Sequence, residues 1–214
     1  MCDPYMPIEA ELGLSRKVLE VILKTGHGAG FLTKNVLALR DLDLMKAIDR
    51  QAKAVACFTL TTMDDAMAHR IEPGASPPSE RLKALWTFAQ NGITTGVWMT
   101  PLLPFLTANE ENIVSIVRSC AAAKVKYIVC FDIGTTMREG SRDYFYQKLD
   151  EIYPGMKRRY QAEFGLEYIC KAPDHERLYA VFTEECQKAG IAWQWSDIAK
   201  WTEIPERNEQ LTLF

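Results

Sequence analysis

The chain has 214 residues, 48% of them hydrophobic, which is enough for one full-sized core. Its net charge of −3 gives no overall pull toward nucleic acid, and no stretch approaches the roughly eighteen apolar residues of a membrane helix. The amino terminus, Met1-Cys2-Asp3-Pro4-Tyr5, has neither the basic region nor the apolar run of a secretion signal, so the expected setting is the cytoplasm.

In chain order, residues 11–24 carry Leu14, Val18, Leu19 and Ile22 on one face and predict a helix, with Ser15 as its cap and Gly26 at its end. Residues 30–33 read as a short strand. Asp41 is placed to cap a helix carrying Leu42, Leu44, Met45 and Ile48. Residues 54–60 are continuously apolar, the pattern of a strand buried on both faces. Ser76-Pro77-Pro78 opens a helix whose prolines fall where the first turn has spare N–H groups; it carries Leu82, Leu85, Trp86 and Phe88 and stops at Asn91-Gly92.

Residues 93–99 form the next expected strand. Thr107-Ala108-Asn109-Glu110 reads as a capping box ahead of a helix with Ile113, Ile116 and Val117, and residues 125–131 as a further strand. Beyond Arg142 the pattern turns helical and aromatic. Tyr144, Phe145, Leu149 and Ile152 suggest one helix, residues 173–188 another, and 191–195 a last strand.

Strand and helix alternate without two-residue hairpin turns, which favours parallel βαβ units with right-handed crossovers. The expected fold is α/β: a partial TIM-type (β/α) barrel over residues 1–165, with a mainly helical C-terminal extension, 166–214, packed on it. Four strands cannot close a barrel. An open sheet edge is therefore expected on the N-terminal side, to be paired by another chain or a second copy as a homo-oligomer.

Parallel α/β folds bind ligands at the carboxyl ends of their strands. Those ends carry Thr33-Lys34-Asn35, Thr59, Thr61-Thr62, Thr100 and Asp132, with Asp3 near the start. Hydroxyls and an amine on one rim suit a ribose and a carboxylate, whereas each taken singly reads as turn chemistry. The six cysteines, at 2, 57, 120, 130, 170 and 186, show no metal-site spacing, so no metal ligands are expected. Cys57, Cys120 and Cys130 lie in apolar segments and read as small buried hydrophobes. Lys157-Arg158-Arg159 is a solvated helix face or a phosphate contact, and Trp193, Trp195 and Trp201 cover the sheet or stack bases.

Together these motifs resemble the radical S-adenosylmethionine (SAM) enzymes related to spore photoproduct lyase, the DNA repair photolyase-like proteins. Cys2-Asp3-Pro4-Tyr5-Met6-Pro7 resembles the family's segment after its second barrel strand, where a serine near the SAM amino group is common and this chain has Cys2. Thr33-Lys34 is similar to the Thr-Lys whose lysine lies near SAM. Thr59 and Thr61 are similar to the polar pair that meets the ribose and the amino-acid end. Arg70-Ile71-Glu72-Pro73-Gly74 resembles the following Glu-Pro-Gly motif, and Gly96-Val97 the strand whose backbone lies near the adenine. Gln210-Leu211-Thr212-Leu213-Phe214 resembles the usual end of these proteins.

The resemblance implies SAM as cofactor at Cys2, Asp3, Thr33, Lys34, Thr59, Thr61, Arg70, Gly96 and Val97. It implies reductive cleavage of SAM, and lyase or repair chemistry on a nucleic acid by analogy. The weak catalytic candidate is Cys130, as hydrogen-atom donor to a substrate radical. The family holds a [4Fe-4S] cluster on Cys-x3-Cys-x2-Cys, which this chain lacks. By the resemblance the cluster loop precedes Met1, so the chain as it stands is expected to be inactive. A truncated chain, a gene-model fragment and a natural cluster-less protein remain open. The alternative is a cluster-free SAM- or nucleotide-binding remnant, or a partner subunit without catalysis of its own. A complete hydrolase is disfavoured, because no carboxylate dyad or Ser-His pair stands out.

Overall fold

The structure is a computed structural model describing residues 3–203. Residues 11–24, expected as one helix, fall in two: α1 (Glu9–Leu12) and α2 (Leu14–Thr25), broken at Gly13, whose φ of 60° is left-handed. The cap of α2 is the Glu9 carboxylate, which accepts from the backbone N–H of Leu14 at 3.0 Å and Ser15 at 2.9 Å. The Ser15 hydroxyl instead donates to the Pro4 carbonyl. Gly26 closes α2 as expected.

The chain continues through β1 (Ala29–Thr33), a 3-10 turn (Val36–Asp41), α3 (Leu42–Gln51), β2 (Ala54–Thr59), α4 (Asp65–Ile71), α5 (Pro78–Gln90), β3 (Thr94–Trp98), α6 (Glu110–Ala122) and β4 (Tyr127–Val129). Asp41 flanks α3, but its carboxylate serves Arg16 and Arg40 rather than the helix N–H groups. The cap of α6 is Asn109, which accepts from the Asn112 N–H at 2.9 Å. The Thr107 hydroxyl accepts from Leu103 N–H instead, so the expected capping box does not form.

The four strands make one parallel sheet in the order β1-β2-β3-β4, with no closed barrel. This is the partial (β/α) barrel the alternation predicts. Residues 191–195 shrink to one bridge, in which Ala192 exchanges hydrogen bonds with Ile128 and Lys126 beside β4.

One face of the sheet is covered by helices. Ala54, Ala56, Phe58, Val97 and Ile128 bury against Leu19, Met45, Ile48, Leu85, Phe88, Ile116, Leu178 and Phe182 in the main core. By the two-residue alternation of a strand, the other face carries Leu32, Val55, Cys57, Trp98, Tyr127 and Val129, packed against Ala192 and Ile198.

After β4 the chain makes an antiparallel pair that the sequence pattern did not predict, β5 (Gly134–Thr136) with β6 (Ile169–Lys171). Between them lie α7 (Ser141–Ile152) and α8 (Met156–Phe164), which enclose a second small core of Met137, Tyr146, Leu149, Tyr160, Phe164 and Cys170. α9 (His175–Ala189) then returns to the main core through Leu178, Phe182 and Cys186, and α10 (Trp195–Thr202) follows. Among the described residues no helix is long and apolar enough to cross a membrane.

Candidate functional site at the carboxyl ends of the strands

The end of β1 is fastened by Asp3. Its carboxylate accepts from the Thr33 hydroxyl at 2.6 Å, the Lys34 N–H at 3.0 Å and the Tyr5 N–H at 2.8 Å. Thr33 gives its single proton to Asp3 and accepts from Asn35 N–H at 3.0 Å. The structure thus brings Asp3 and Thr33 together as a clasp that holds the first residues against the sheet.

Lys34, one residue further, enters a different network centred on Glu72. Glu72 Oε1 lies 2.7 Å from Lys34 Nζ and accepts from the Thr61 hydroxyl at 3.3 Å. Its Oε2 lies 2.6 Å from Arg81 Nη2. Arg81, only 1% exposed, spends its other donors on backbone carbonyls: Thr59 at 2.8 Å and Ser76 at 2.6 Å. Asn112 closes the arrangement by donating to the Thr61 carbonyl at 2.9 Å. Burial works to raise the Glu72 pKa, but the charges and hydrogen bonds of Lys34 and Arg81 outweigh it and hold the carboxyl below its usual range.

The side chains of Lys34 and Thr61 therefore meet on Glu72, and Arg81 ties in the Thr59 carbonyl, while the Thr59 side chain lies on the open face of the sheet beside Trp98. The residues that organise this strand-end mouth, Glu72 and Arg81, were not singled out as site residues. A signal existed for Arg81: it lies on the α5 face that also carries Ala84, Leu85 and Phe88, where a cation is costly unless paired.

The open face of the sheet forms a groove of about 490 Å³ lined by Gly30, Leu32, Val55, Cys57, Trp98 and Tyr127, which reaches Gly28 and Lys53 at the amino ends of β1 and β2. Leu32, Cys57, Gly96 and Tyr127 share one register row. A Cβ on Gly96 would lie 2.3 Å from the Tyr127 ring, so the missing side chain is what lets that ring cross β3. The Tyr127 hydroxyl sits 3.1 Å from Cys57 Sγ. Burial pushes the Cys57 thiol up to about 11. Thr59 lies one pleat above Cys57 on the same face, in register with Trp98. Trp98 packs edge-on against Phe131, and Phe131 against Trp195, so that an aromatic row with its outer two rings exposed runs along the top of the groove.

Other predicted site residues fall elsewhere. Val97 turns into the helix-covered core, leaving only its backbone toward the groove side. Cys130 also packs in that core, its thiol pushed up to about 12 by burial and by nearby Asp132, which is not the open-face position its assigned role requires. Arg70 does not join the Glu72 network; it lines a separate cavity against α7. Cys2 and residues 210–214 lie outside the described residues. Asp132 pairs with Lys171 at 2.7 Å. Asp64 caps α4 through the N–H groups of Ala66 and Met67, and Asp65 holds Ser79, so both acids serve helix starts rather than the mouth. Trp201 lies under Lys126 at 5.0 Å, and Trp193 packs on the main core. Arg159 of the basic run sits over the Phe105 ring at 3.9 Å.

Among the described residues no three His, Cys, Asp or Glu side chains gather as a metal site would require. Cys57 lies in the groove, Cys120, Cys130 and Cys186 in the main core and Cys170 in the second core. Burial raises the pKa of every one of them, which opposes the thiolate form that binds iron. These residues do not fit a [4Fe-4S] cluster. An apolar groove with polar side chains near one end is the general form of a small-molecule site.

No family model matches the chain. Among curated proteins it is 26% identical over 159 residues to an uncharacterised protein of Mycobacterium tuberculosis, covering 74% of this chain and 46% of that protein. It is 33% identical over 104 residues to an uncharacterised protein of Methanocaldococcus jannaschii, covering 49% of this chain and 39% of the relative. It is also 24% identical over 109 residues to a radical SAM Nalpha-GlyT isomerase of Pseudomonas phage M6, covering 51% of this chain and 22% of the isomerase. The chain spans less than half the length of each of these relatives.

Among solved structures, spore photoproduct lyase complexed with dinucleoside spore photoproduct superposes with a TM-score of 0.65 at 14% identity, over 88% of this chain and 58% of the lyase. SuiB of Streptococcus suis bound to S-adenosylmethionine superposes with a TM-score of 0.54 at 12% identity, over 84% of this chain and 36% of SuiB. The open parallel sheet, its strand-end mouth and these superpositions agree with the resemblance read from the motifs: the chain has the fold of the radical SAM enzymes, in the form found in spore photoproduct lyase.

Proposed function

We propose that this chain is the SAM-holding part of a radical SAM enzyme's barrel. The observation that carries the reading is the meeting of Lys34 and Thr61 on Glu72 at the strand ends, with Thr59 on the open sheet face next to them, in the fold shared with SAM-bound SuiB. SAM supplies a sulfonium-linked adenosyl group. The chain's own part is to hold it. Lys34 offers an ammonium to the ligand carboxylate, kept in place by Glu72. The hydroxyls of Thr59 and Thr61 serve the ribose and the amino group. The backbone at Gly96 and Val97 flanks the adenine, with the Tyr127 ring beside it.

Reductive cleavage of SAM belongs to the complete enzyme, and no step of it is assigned to these residues. A nucleic-acid lesion as substrate has one support, the lyase neighbour complexed with a dinucleoside spore photoproduct. We also propose that the C-terminal extension packs on the barrel, supported by α9 joining the main core; the second core and the β5–β6 pair straddle residue 165, so they give that boundary no support. A second reading has its own observation. Because the described cysteines do not fit a cluster, the chain serves as a SAM- or nucleotide-binding partner whose open β1 edge pairs with another chain.

Calorimetric titration of the purified chain with SAM tests both readings. We expect saturable binding, weakened about tenfold by Lys34→Ala or Thr59→Val, the loss of one charged or polar contact. Absence of SAM binding, or equal affinity in both variants, sinks the assignment. Anaerobic iron and sulfide reconstitution, read by absorbance, then separates the two: a cluster on this chain alone supports the enzyme reading, and none supports the partner reading.

A further inference from the structure

The cavity between the end of α4 and the face of α7 has a chemistry of its own. Its volume is about 350 Å³, and its lining brings Arg70, Arg142 and Lys148 together, Lys148 already paired with Glu151 at 2.7 Å and no carboxylate among the lining residues themselves. Arg70 makes no ion pair or side-chain hydrogen bond within the described residues, although it belongs to a chain with an excess of acids. Arg142 donates through Nη2 to the carbonyls of Met137, Leu166 and Glu167, yet its Nε is buried with no acceptor. A buried donor without a partner costs free energy that an incoming acceptor would recover.

Two further features point to what the acceptor belongs to. The first turn of α7, a helix of 12 residues, opens onto the cavity at Ser141, adding the positive end of a helix to the cations. Tyr144 is 66% exposed at the rim, with its ring beside Lys148 Nζ at 6.0 Å, and the rest of the wall is mainly apolar. Cations around a donor-rich end, with a free aromatic ring next to them, match a phosphate joined to a flat base.

We propose that this cavity binds one nucleotide unit, with its phosphate held by Arg70, Arg142 Nε and the start of α7 and its base against Tyr144. The cavity is separate from the groove under Tyr127, so the nucleotide test and the SAM test succeed or fail independently.

Uridine 5′-monophosphate, which has no adenine to compete for the SAM groove, is titrated into the full chain by calorimetry. Uridine, inorganic phosphate and a single-stranded uridine pentanucleotide are run beside it. The expected result is saturable binding of the monophosphate, at least about tenfold tighter than either uridine or phosphate. Arg70→Glu should weaken the monophosphate by about tenfold or more and leave uridine unchanged, as loss of a charge-assisted contact requires. Tyr144→Ala should weaken both.

Arg70 and Tyr144 are exposed, and a thermal melt matching wild type shows that each variant is folded. Tighter binding of the pentanucleotide than of the monophosphate identifies a strand as the source, and the reverse a free nucleotide; either supports the site. Phosphate binding as tightly as the monophosphate, an acidic peptide outcompeting it, or an Arg70→Glu protein with unchanged affinity overturns the proposal.

Discussion

Lys34, just past the end of β1, and Glu72, just past the end of α4, are joined across the mouth of the sheet by an ion pair of 2.7 Å. The carboxylate is 10% exposed and the ammonium 36%, so the pair is partly shielded from water, and Glu72 also carries Arg81 and Thr61. One acid thereby ties together β1, the turn after β2, and α5.

Glu72→Gln should destabilise the fold by about 2 kcal/mol at neutral pH, because it leaves Lys34 and the buried Arg81 short of a counter-charge. The Glu72 pKa is lower folded than its ordinary 4.5. Its stabilising contribution is therefore fully present above about pH 4.5 and is lost as the pH falls through the folded value. Urea unfolding of both proteins from pH 8 to pH 3 should show a constant gap that closes in acid; a gap that widens in acid contradicts the assignment.

Arg81→Ala removes a fully buried side chain that satisfies two carbonyls and half of a carboxylate. The expected loss is about 3–5 kcal/mol, read as a lower urea midpoint. Arg81→Lys should recover little of it, because a single ammonium cannot reach the Thr59 and Ser76 carbonyls and Glu72 together. Near-complete rescue by lysine would show that charge alone matters there.

Gly96→Ala should cost about 1–3 kcal/mol, since its methyl would overlap the buried Tyr127 ring. Tyr127→Leu in the same chain should return part of that loss, whereas Tyr127→Phe should not, because the clash is with the ring and only secondarily with the hydroxyl. Thermal melts of the single and double variants measure the coupling directly.

The cysteines give a chemical check on burial. Cys57 is pushed up to about 11 and Cys130 and Cys186 to about 12, so at pH 8 thiolate is a minor form at each. In the native protein these three should resist iodoacetamide and react fully in denaturant. Rapid native labelling at Cys130 would move its thiol out of the core and restore it as a hydrogen-donor candidate.

What was legible in the sequence follows from which physical signals are local. The strand at Ala54–Thr59 was readable from its nearly continuous apolar run and Thr94–Trp98 from β-branched and aromatic residues following the stop at Asn91-Gly92, and parallel order followed from the helices between them. The break at Gly13 was not, because the apolar spacing runs straight through it and only the reach of Glu9 back to Ser15 fixes two helices. β5 and β6 escaped because their partners are more than thirty residues apart and only three residues long. At the site, Lys34, Thr59 and Thr61 carry recognisable chemistry at strand ends. Arg70 was grouped with them through the Arg-Ile-Glu-Pro-Gly resemblance, yet it lines the cavity against α7 while Glu72 pairs with Lys34.

The margin of β1, which pairs with no other strand among the described residues, has a consequence for how the sheet breathes. Ala29 N–H bonds to the Lys53 carbonyl, so by the alternation of a parallel ladder the amides of Phe31 and Thr33 also point toward β2, while those of Gly30 and Leu32 point away from it. Deuterium uptake along this strand should therefore be two-toned, slow at odd positions and fast at even ones, whereas central β2 should be slow throughout. A strand added from outside would erase the contrast, making the amides of Gly30 and Leu32 a built-in reporter of whatever docks along that margin.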